Sequence, residues 1–109
     1  MLLEVDKDNF QAEVLEADGF VLVDYWSESC EPCKALMPSI IELAEKYKDN
    51  MKFCKLETTK ARRLAIKEKV LGLPTIAVYG RGVKLEELTN ENATPENIEA
   101  MIRKFIYWD

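Results

Sequence analysis

The sequence predicts a single α/β domain, residues 1–109, in which about five strands alternate with four helices. Apolar runs typical of strands alternate along the chain with apolar residues at helical spacing. The 109 residues are typical of one domain, and a hydrophobic content of 48% is enough for one core. No internal repeat, low-complexity run or Gly/Ser linker interrupts the chain, so we do not expect a second domain.

The N-terminal part of the chain is predicted to contain a short strand at residues 2–5, a helix, and a second strand at residues 20–26. Asp8 followed three residues later by Gln11 resembles a capping box, so we expect the helix to begin there and to end at Gly19. The strand at 20–26 is nearly continuous in apolar residues. This pattern is expected of a central strand that is covered on both faces.

A long amphipathic helix is predicted over residues 33–48, because apolar residues recur there at helical spacing. Pro38 lies inside it and is expected to kink the helix without ending it. The remaining strands are predicted at residues 51–56, 75–79 and 83–88, and the remaining helices at residues 60–67 and from Thr94 onward.

The charge balance excludes some classes of partner. The formal net charge is −5 and 32% of the residues are charged, so a nucleic acid is an improbable ligand. No stretch approaches the roughly 18 apolar residues of a membrane span, and the N-terminus lacks the pattern of a signal peptide. We therefore expect a cytoplasmic protein that does not associate with membranes, and we expect it to be a monomer.

Cys30 and Cys33 form a Cys-x-x-Cys pair at the junction between a predicted strand and a predicted helix. In this position the pair is typical of a redox motif. The first thiol lies near a helix N-terminus, where unpaired N–H groups and the helix dipole favour an anion. The thiolate is that anion and is the reactive form. The second cysteine follows about one helical turn later, close enough to form a disulfide with the first.

A zinc site is the alternative interpretation of this cysteine pair. Zinc usually needs four Cys or His ligands, but the chain has no histidine and only one further cysteine, Cys54. We therefore expect no bound metal. Cys54 lies within a predicted strand and is interpreted as a small core residue, because a redox role would require exposure and a lowered pKa.

Residues on both sides of the two cysteines, and one segment later in the chain, form a pattern. The pattern consists of Val23-Asp24-Tyr25-Trp26, Pro32, Lys34, Pro38 and Gly72-Leu73-Pro74-Thr75. In this order these residues resemble the thioredoxin family over essentially the whole chain. The resemblance implies the thioredoxin fold, with a central mixed five-stranded sheet, helices on both faces, and a cis peptide bond before Pro74 beside the disulfide.

The resemblance also implies an activity: reduction of disulfide bonds in client proteins, with no cofactor besides the Cys30–Cys33 disulfide. A thioredoxin reductase would regenerate the dithiol. Glu31 gives Cys-Glu-Pro-Cys in place of Cys-Gly-Pro-Cys. This motif and residues 61–66 most resemble those of thioredoxins from anaerobic clostridia. In these bacteria, thioredoxins accompany amino-acid reductase systems. We therefore expect such a system among the partners.

Carried over from the family, Cys30 would be the attacking thiolate and Cys33 the resolving thiol. Asp24 would be a buried carboxylate behind Cys33, and Lys55 the lysine near it. A carboxylate in an apolar strand should have a raised pKa, so Asp24 could accept the proton that Cys33 loses. The alternatives are a solvated or capping role for Asp24 and a merely solvent-facing side chain for Lys55.

Trp26 and the backbone of Leu73 beside Pro74 would form the surface on which an extended client segment docks. Without the resemblance, Trp26 could be an ordinary core residue and Pro74 an ordinary loop proline. Ser29 and residues 90–92 depart from the family pattern. Because they lie where partners would dock, the usual NADPH-dependent reductase is not assured as the electron donor.

Glu31 and Pro32, between the two cysteines, are expected to tune the redox potential. Repulsion from Glu31 across about 6 Å should raise the pKa of the Cys30 thiol by roughly half a unit. The helix N-terminus acts in the opposite direction. We expect a reductant near the potential typical of thioredoxins, about −270 mV, and not a strong oxidant near −120 mV.

Two other functions remain open. A disulfide oxidase or isomerase is disfavoured because such relatives usually carry His in the motif, and this chain has none. A redox-inert binding module is disfavoured because it would not require both cysteines. Trp108 has no assigned role beyond packing.

Overall fold

The computed structural model describes residues 1–107 and contains one five-stranded sheet with helices on both faces. Trp108 lies outside the described residues. The strands are β1 (Leu2–Val5), β2 (Phe20–Trp26), β3 (Lys52–Glu57), β4 (Thr75–Gly80) and β5 (Val83–Thr89). The helices are a short π-helical segment (Gln11–Leu15), α1 (Glu31–Lys46), α2 (Arg62–Lys67) and α3 (Pro95–Ile106), with 3₁₀ turns at Thr58–Lys60 and Asn90–Asn92.

The sheet is mixed, with strand order β1-β3-β2-β4-β5. The pairs β1–β3 and β3–β2 are parallel, whereas β2–β4 and β4–β5 are antiparallel. Six of the seven residues of β2 are buried, which confirms the prediction of a central strand. Tyr25 pairs with Leu56 of β3 and with Thr75 of β4. The ends of β2 and β3 and the start of β4 therefore share one edge of the sheet.

The first helix differs from its prediction. Asp6 and Asn9, not Asp8 and Gln11, form the reciprocal side-chain cap. The Asp6 N–H donates to Asn9 Oδ1 at 2.7 Å and the Asn9 N–H donates to Asp6 Oδ1 at 3.0 Å. The helical segment then covers only Gln11–Leu15. The cap begins two residues earlier than predicted because the side chain of Asn9 accepts the N–H of the cap residue. Gln or Glu has this role in the usual capping box.

The other helices follow their predictions with shifted starts. Helix α1 begins at Glu31, two residues early, because Cys30 caps it and proline at Pro32 is tolerated in the first turn. It continues through Pro38. Helix α2 begins at Arg62 and not at residue 60, because Thr58–Lys60 form a separate turn.

Two apolar cores lie on opposite faces of the sheet. The first packs under α1 and α3 and includes Leu22, Ile40, Phe53, Ile76, Ile98 and Ile102. The second packs under the π-helical segment and α2 and includes Val5, Phe10, Val23, Tyr25, Cys54 and Tyr79. Each fully buried aliphatic side chain contributes about 1.5–3 kcal/mol, so the sheet is a rigid platform for the loops at its edge. In the described part of the chain, no helix is both long and apolar enough to cross a membrane.

Candidate active site

The two cysteines lie where β2 ends and α1 begins. They are joined by a disulfide, with their Cα atoms 5.2 Å apart. Cys30 is the N-cap residue of α1, and the Cys33 N–H donates to Cys30 Sγ at 3.2 Å. The Cys30 N–H in turn donates to the Ser27 carbonyl at 3.1 Å, which closes a turn before the helix. The prediction that the first sulfur lies at a helix N-terminus is confirmed.

This geometry gives the two sulfurs different chemistry. A thiolate at Cys30 would receive an N–H hydrogen bond and the favourable field of the helix N-terminus, both of which lower a thiol pKa. Cys30 is half-buried, whereas Cys33 is only 1% exposed. Because thiol–disulfide exchange requires access for the incoming sulfur, attack at Cys30 is favoured over attack at Cys33.

Asp24 is a buried carboxylate on the same face of the sheet as α1. Residues alternate along β2, so Asp24 faces the same side as Leu22, which belongs to the core under α1. Asp24 is 1% exposed, and neither of its carboxylate oxygens has a hydrogen-bond partner among the described residues. Burial raises its pKa to about 7, against the opposing attraction of Lys55. A solvated or capping role for this residue is therefore wrong.

Lys55 is the register partner of Asp24 on β3, but its ammonium lies against an aromatic ring. Lys55 Nζ is 5.5 Å from the centre of the Trp26 ring, within the range of a cation–π contact. Trp26 is nearly buried, and its Nε1 has no partner in the described chain. Lys55 is half-buried, so it is not simply a solvent-facing residue. The three side chains form one cluster beside the start of α1.

Leu73 and Pro74 lie at the same sheet edge, directly before β4. Their peptide bond is cis, as the resemblance implied. Pro74 is buried and Leu73 is half-buried. The Asn90 N–H donates to the Pro74 carbonyl at 2.8 Å, and Thr75 Oγ1 donates to the Gly72 carbonyl at 2.6 Å. The divergent segment at residues 90–92 is thus bonded directly to the proline loop.

Glu31 and Pro32 occupy the exposed first turn of α1. The Glu31 carboxylate pairs with Lys34 Nζ at 3.2 Å. Because the lysine partly neutralises the carboxylate, and because both groups are largely in water, the repulsion between Glu31 and a Cys30 thiolate is weaker than the sequence alone predicts.

Glu57 is a site residue that the sequence reasoning missed. It ends β3 beside Trp26, is 7% exposed, and accepts hydrogen bonds from the Thr59 N–H at 2.7 Å and Thr59 Oγ1 at 2.8 Å. Burial acts to raise its pKa, but these hydrogen bonds and Lys60 together lower it. Glu57 therefore holds the turn after β3 in place beside Trp26. The available signal was an acid at the end of an apolar strand.

Cys54 is separated from the disulfide by the sheet. It is fully buried in the core on the opposite face, and burial raises the pKa of its thiol to about 11. The interpretation as a core residue is confirmed. Within residues 1–107, no group of three or more His, Cys, Asp or Glu side chains is placed to hold a metal ion.

A mixed sheet that carries a Cys-x-x-Cys disulfide at a helix N-terminus, beside a cis-proline loop, defines a thiol–disulfide oxidoreductase. The family model for thioredoxin matches residues 1–104. The chain is 63% identical to a thioredoxin of Acetoanaerobium sticklandii over 96% of this chain and all of that protein. It is 60% identical to a thioredoxin of Peptoclostridium acidaminophilum over 97% of this chain and 96% of that protein. The chain belongs to the thioredoxin family.

These comparisons confirm the resemblance, including its subgroup, since both of these relatives come from anaerobic clostridia. A more distant thioredoxin, from Pseudomonas aeruginosa, is 40% identical over 74% of this chain and 75% of that protein. As a thioredoxin, the protein is a carrier that works by thiol–disulfide exchange at Cys30 and Cys33. Members of this family use the cysteine pair itself and no cofactor, and they normally work with a thioredoxin reductase and disulfide substrates.

Proposed function

We propose that the protein is a monomeric, cytoplasmic electron carrier that reduces disulfides in client proteins and is regenerated by a thioredoxin reductase. The observation that supports reduction of client disulfides is the structural difference between the two cysteines. A half-buried Cys30 caps a helix, and a buried Cys33 donates its N–H to the Cys30 sulfur. A sulfur in that position is stabilised as a thiolate and is reachable, so it can start an exchange.

The reaction has two exchange steps. The Cys30 thiolate attacks one sulfur of a client disulfide, a mixed disulfide forms, and the other client sulfur leaves as a thiolate. The Cys33 thiolate then attacks Cys30 Sγ, the Cys30–Cys33 disulfide forms, and the second client sulfur leaves. Two electrons pass from the dithiol to the client, and the two leaving thiolates take up protons. The reductase reverses the change by supplying two electrons through its own dithiol.

Asp24 is the proton acceptor for Cys33 in this proposal. Cys33 must lose a proton before the second step, in a place that water hardly reaches. A carboxylate on the same side of the sheet, with a pKa of about 7 and no hydrogen-bond partner of its own among the described residues, is half ionised at neutral pH. It can therefore take the proton, directly or through a water molecule, and release it later. Lys55 would favour the ionised form of Asp24.

Clients dock at the shared sheet edge. Trp26, Leu73 and Pro74 would present a partly apolar surface, and the backbone groups of Leu73 could pair with an extended client segment as a short strand. Glu31 and Pro32, on the exposed first turn of α1, would border this surface and adjust the potential.

An amino-acid reductase system is the client system that we propose. Support comes from the high identity to thioredoxins of anaerobic clostridia, together with the Cys-Glu-Pro-Cys motif. Ser29 and residues 90–92 alter the docking surface, which suits a reductase other than the usual NADPH-dependent one. Pairing the protein with one NADPH-dependent and one ferredoxin-dependent reductase, and following reduction of the disulfide, identifies the donor.

Insulin reduction with dithiothreitol tests the proposed activity. We expect rapid turnover by the native protein, none by Cys30→Ser, and a trapped mixed disulfide with Cys33→Ser. Cys54→Ala is the matched control, since it also removes one thiol, and it should retain full activity. Absence of turnover by the native protein would indicate a redox-inert module. Net oxidation of dithiol clients in preference to reduction would indicate an oxidase.

A further inference from the structure

An apolar groove runs beside the proline loop, between the turn after β3, helix α2 and the segment that leads to Leu73. Its volume is about 360 Å³, and most of its wall is apolar. Ile66 is 73% exposed and Leu71 is 95% exposed, although both are large aliphatic residues. Exposed aliphatic side chains that line one groove are typical of a surface that binds another molecule.

A second cavity, of about 250 Å³, adjoins this groove and shares Thr59 and Arg62 with it. Its character is basic. Four of its lining residues are Lys7, Lys60, Arg62 and Arg63. The surface therefore changes from apolar to cationic within a few residues of Thr59. We call the two cavities together the α2 groove.

The cations of this region differ from most others in the protein. The segment from residue 60 to residue 69 contains five Lys or Arg and one acid, Glu68, in a chain whose net charge is −5. In the described structure none of these five cations forms an ion pair. Six lysines elsewhere each pair with a glutamate, namely Lys34, Lys46, Lys48, Lys52, Lys84 and Lys104.

Glu68 forms no ion pair with these cations among the described residues, and its carboxylate bonds to the sheet. Tyr79 Oη donates to Glu68 Oε1 at 2.7 Å, and Tyr79 and Tyr25 share a hydrogen bond of 2.6 Å between their hydroxyls. This chain of hydrogen bonds ties the end of α2 to the sheet. The groove is therefore held in place, while its cations remain available to a partner.

The α2 groove is continuous with the proposed docking surface. Leu73 belongs to both, because it lines the groove and also precedes Pro74. On the other side, Thr59 lines the groove and is held by Glu57, which is the register partner of Trp26 on β2. A client segment that pairs with Leu73 would thus continue directly into the α2 groove.

We propose that the α2 groove binds the part of the redox partner that flanks its disulfide, and that this segment combines aliphatic residues with Asp or Glu. The proposal rests on the proposed function, since the segment belongs to a disulfide client or to the reductase. Aliphatic side chains would cover Ile66 and Leu71, and the acids would meet Lys60, Arg62 and Arg63. Complementary charge mainly raises the rate of association and the selectivity among partners.

Two synthetic peptides test this inference with the full-length protein. Each contains one cysteine as a mixed disulfide with 2-mercaptoethanol, flanked by leucine and isoleucine. One peptide carries glutamates at both ends and the other carries lysines at the same positions. We expect the reduced protein to react with the acidic peptide about tenfold faster at low ionic strength, and high salt should largely remove this difference. Equal rates would overturn the proposal.

Charge-reversal variants locate the effect. R62E/R63E should abolish or invert the preference for the acidic peptide, whereas R81E, at the exposed turn between β4 and β5, should retain it. The double variant Ile66→Ser/Leu71→Ser should react more slowly with both peptides. Loss of the preference in R81E as well would show that net charge and not the groove is responsible. Retention of the preference in R62E/R63E would show that these arginines do not select the acidic peptide, and either result would overturn the proposal.

Reduction of bis(2-hydroxyethyl) disulfide separates this inference from the proposed function. That small neutral disulfide does not reach the groove, so all variants should reduce it at the native rate. If the native protein fails to reduce it, the proposed function is wrong. If the native protein reduces it but shows no peptide preference, only the groove proposal is wrong. Tighter binding of a single-stranded oligonucleotide than of the acidic peptide, or a dimer that R62E/R63E disrupts, would assign the groove to another occupant and overturn the proposal.

Discussion

Asp24 and Lys55 face each other across the parallel β2–β3 pair, yet Lys55 directs its ammonium to the ring of Trp26. The carboxylate is left buried without a hydrogen-bond partner in the described chain, and its pKa rises to about 7. A close ion pair would instead keep a carboxylate ionised throughout the neutral range. The contact with Trp26 therefore leaves Asp24 able to exchange a proton at physiological pH.

Asp24→Asn should slow reduction of a protein disulfide by about tenfold or more near neutral pH, because the amide cannot accept the Cys33 proton. In the native protein the rate of the second exchange step should rise with pH through about 7, as Asp24 ionises. That inflection should be missing in the variant. Stopped-flow measurements between pH 5 and 9 check both points, and unchanged turnover would remove Asp24 from the mechanism.

The same substitution should stabilise the oxidised protein in alkaline solution. Burial raises the pKa of Asp24 to about 7, whereas an unfolded aspartate has a pKa of about 3.9. Between these values the folded state keeps a proton that the unfolded state has lost. The free energy of unfolding thus falls as pH rises from about 4 to about 7, then levels off.

Asp24→Asn should abolish this fall in the free energy of unfolding with pH. The difference in unfolding free energy between variant and native protein should grow over the same pH range, by up to about 4 kcal/mol. Urea denaturation at pH 4, 6 and 8 measures it. A difference that does not change with pH would show that Asp24 is ionised in the folded protein throughout this range.

Lys55→Gln should raise the pKa of Asp24 above about 7, since Lys55 is the group that lowers it. The pH at which the fall in stability levels off should move upward by roughly half a unit, while the pH at which the fall begins should not change. Lys52→Gln is the matched control, because Lys52 lies on the same strand but pairs with Glu13. Lys52→Gln should leave the pH at which the fall levels off unchanged. An equal shift in both variants would mean that Lys55 acts only through the overall charge.

Substitution of Glu31 and substitution of Lys34 should shift the redox potential in opposite directions. Glu31→Gln frees Lys34, which then stabilises a Cys30 thiolate. The reduced form therefore becomes more stable relative to the disulfide, and the redox potential rises. Lys34→Gln should lower it. Each shift should be about 15 mV or less, because the groups are exposed and screened. Redox titration against glutathione measures the potentials. Shifts of the same sign in the two variants would contradict a role through charge.

Cys54 should be dispensable for activity. Cys54→Ala should keep the rate of insulin reduction but lower the free energy of unfolding by about 1–2 kcal/mol, because a buried sulfur is lost from the core. Cys54→Ser should cost more, since its hydroxyl would be buried in an apolar environment. A loss of activity in Cys54→Ala without a loss of stability would assign this thiol a redox role.

Short-range patterns accounted for much of the fold. The apolar run of β2, the helical spacing of α1 and the strand-to-helix junction at Cys30 depend on neighbours within one or two turns, so they could be predicted directly. The first helix was misplaced because Asp6 and Asp8 are equally plausible caps in the sequence. The family resemblance, and not periodicity, pointed to Asp24, Lys55 and the cis bond at Pro74.

The order of residue types along the chain is enough to predict that strands alternate with helices and that a cysteine pair begins a helix. The three-dimensional fold alone places Lys55 against the ring of Trp26 and Glu57 between Trp26 and Thr59. It also decided that unpaired cations of α2 lie beside an apolar groove that reaches Leu73. These relationships join residues that are distant in the chain, and they depend on strand register and loop packing. Local periodicity encodes neither of these.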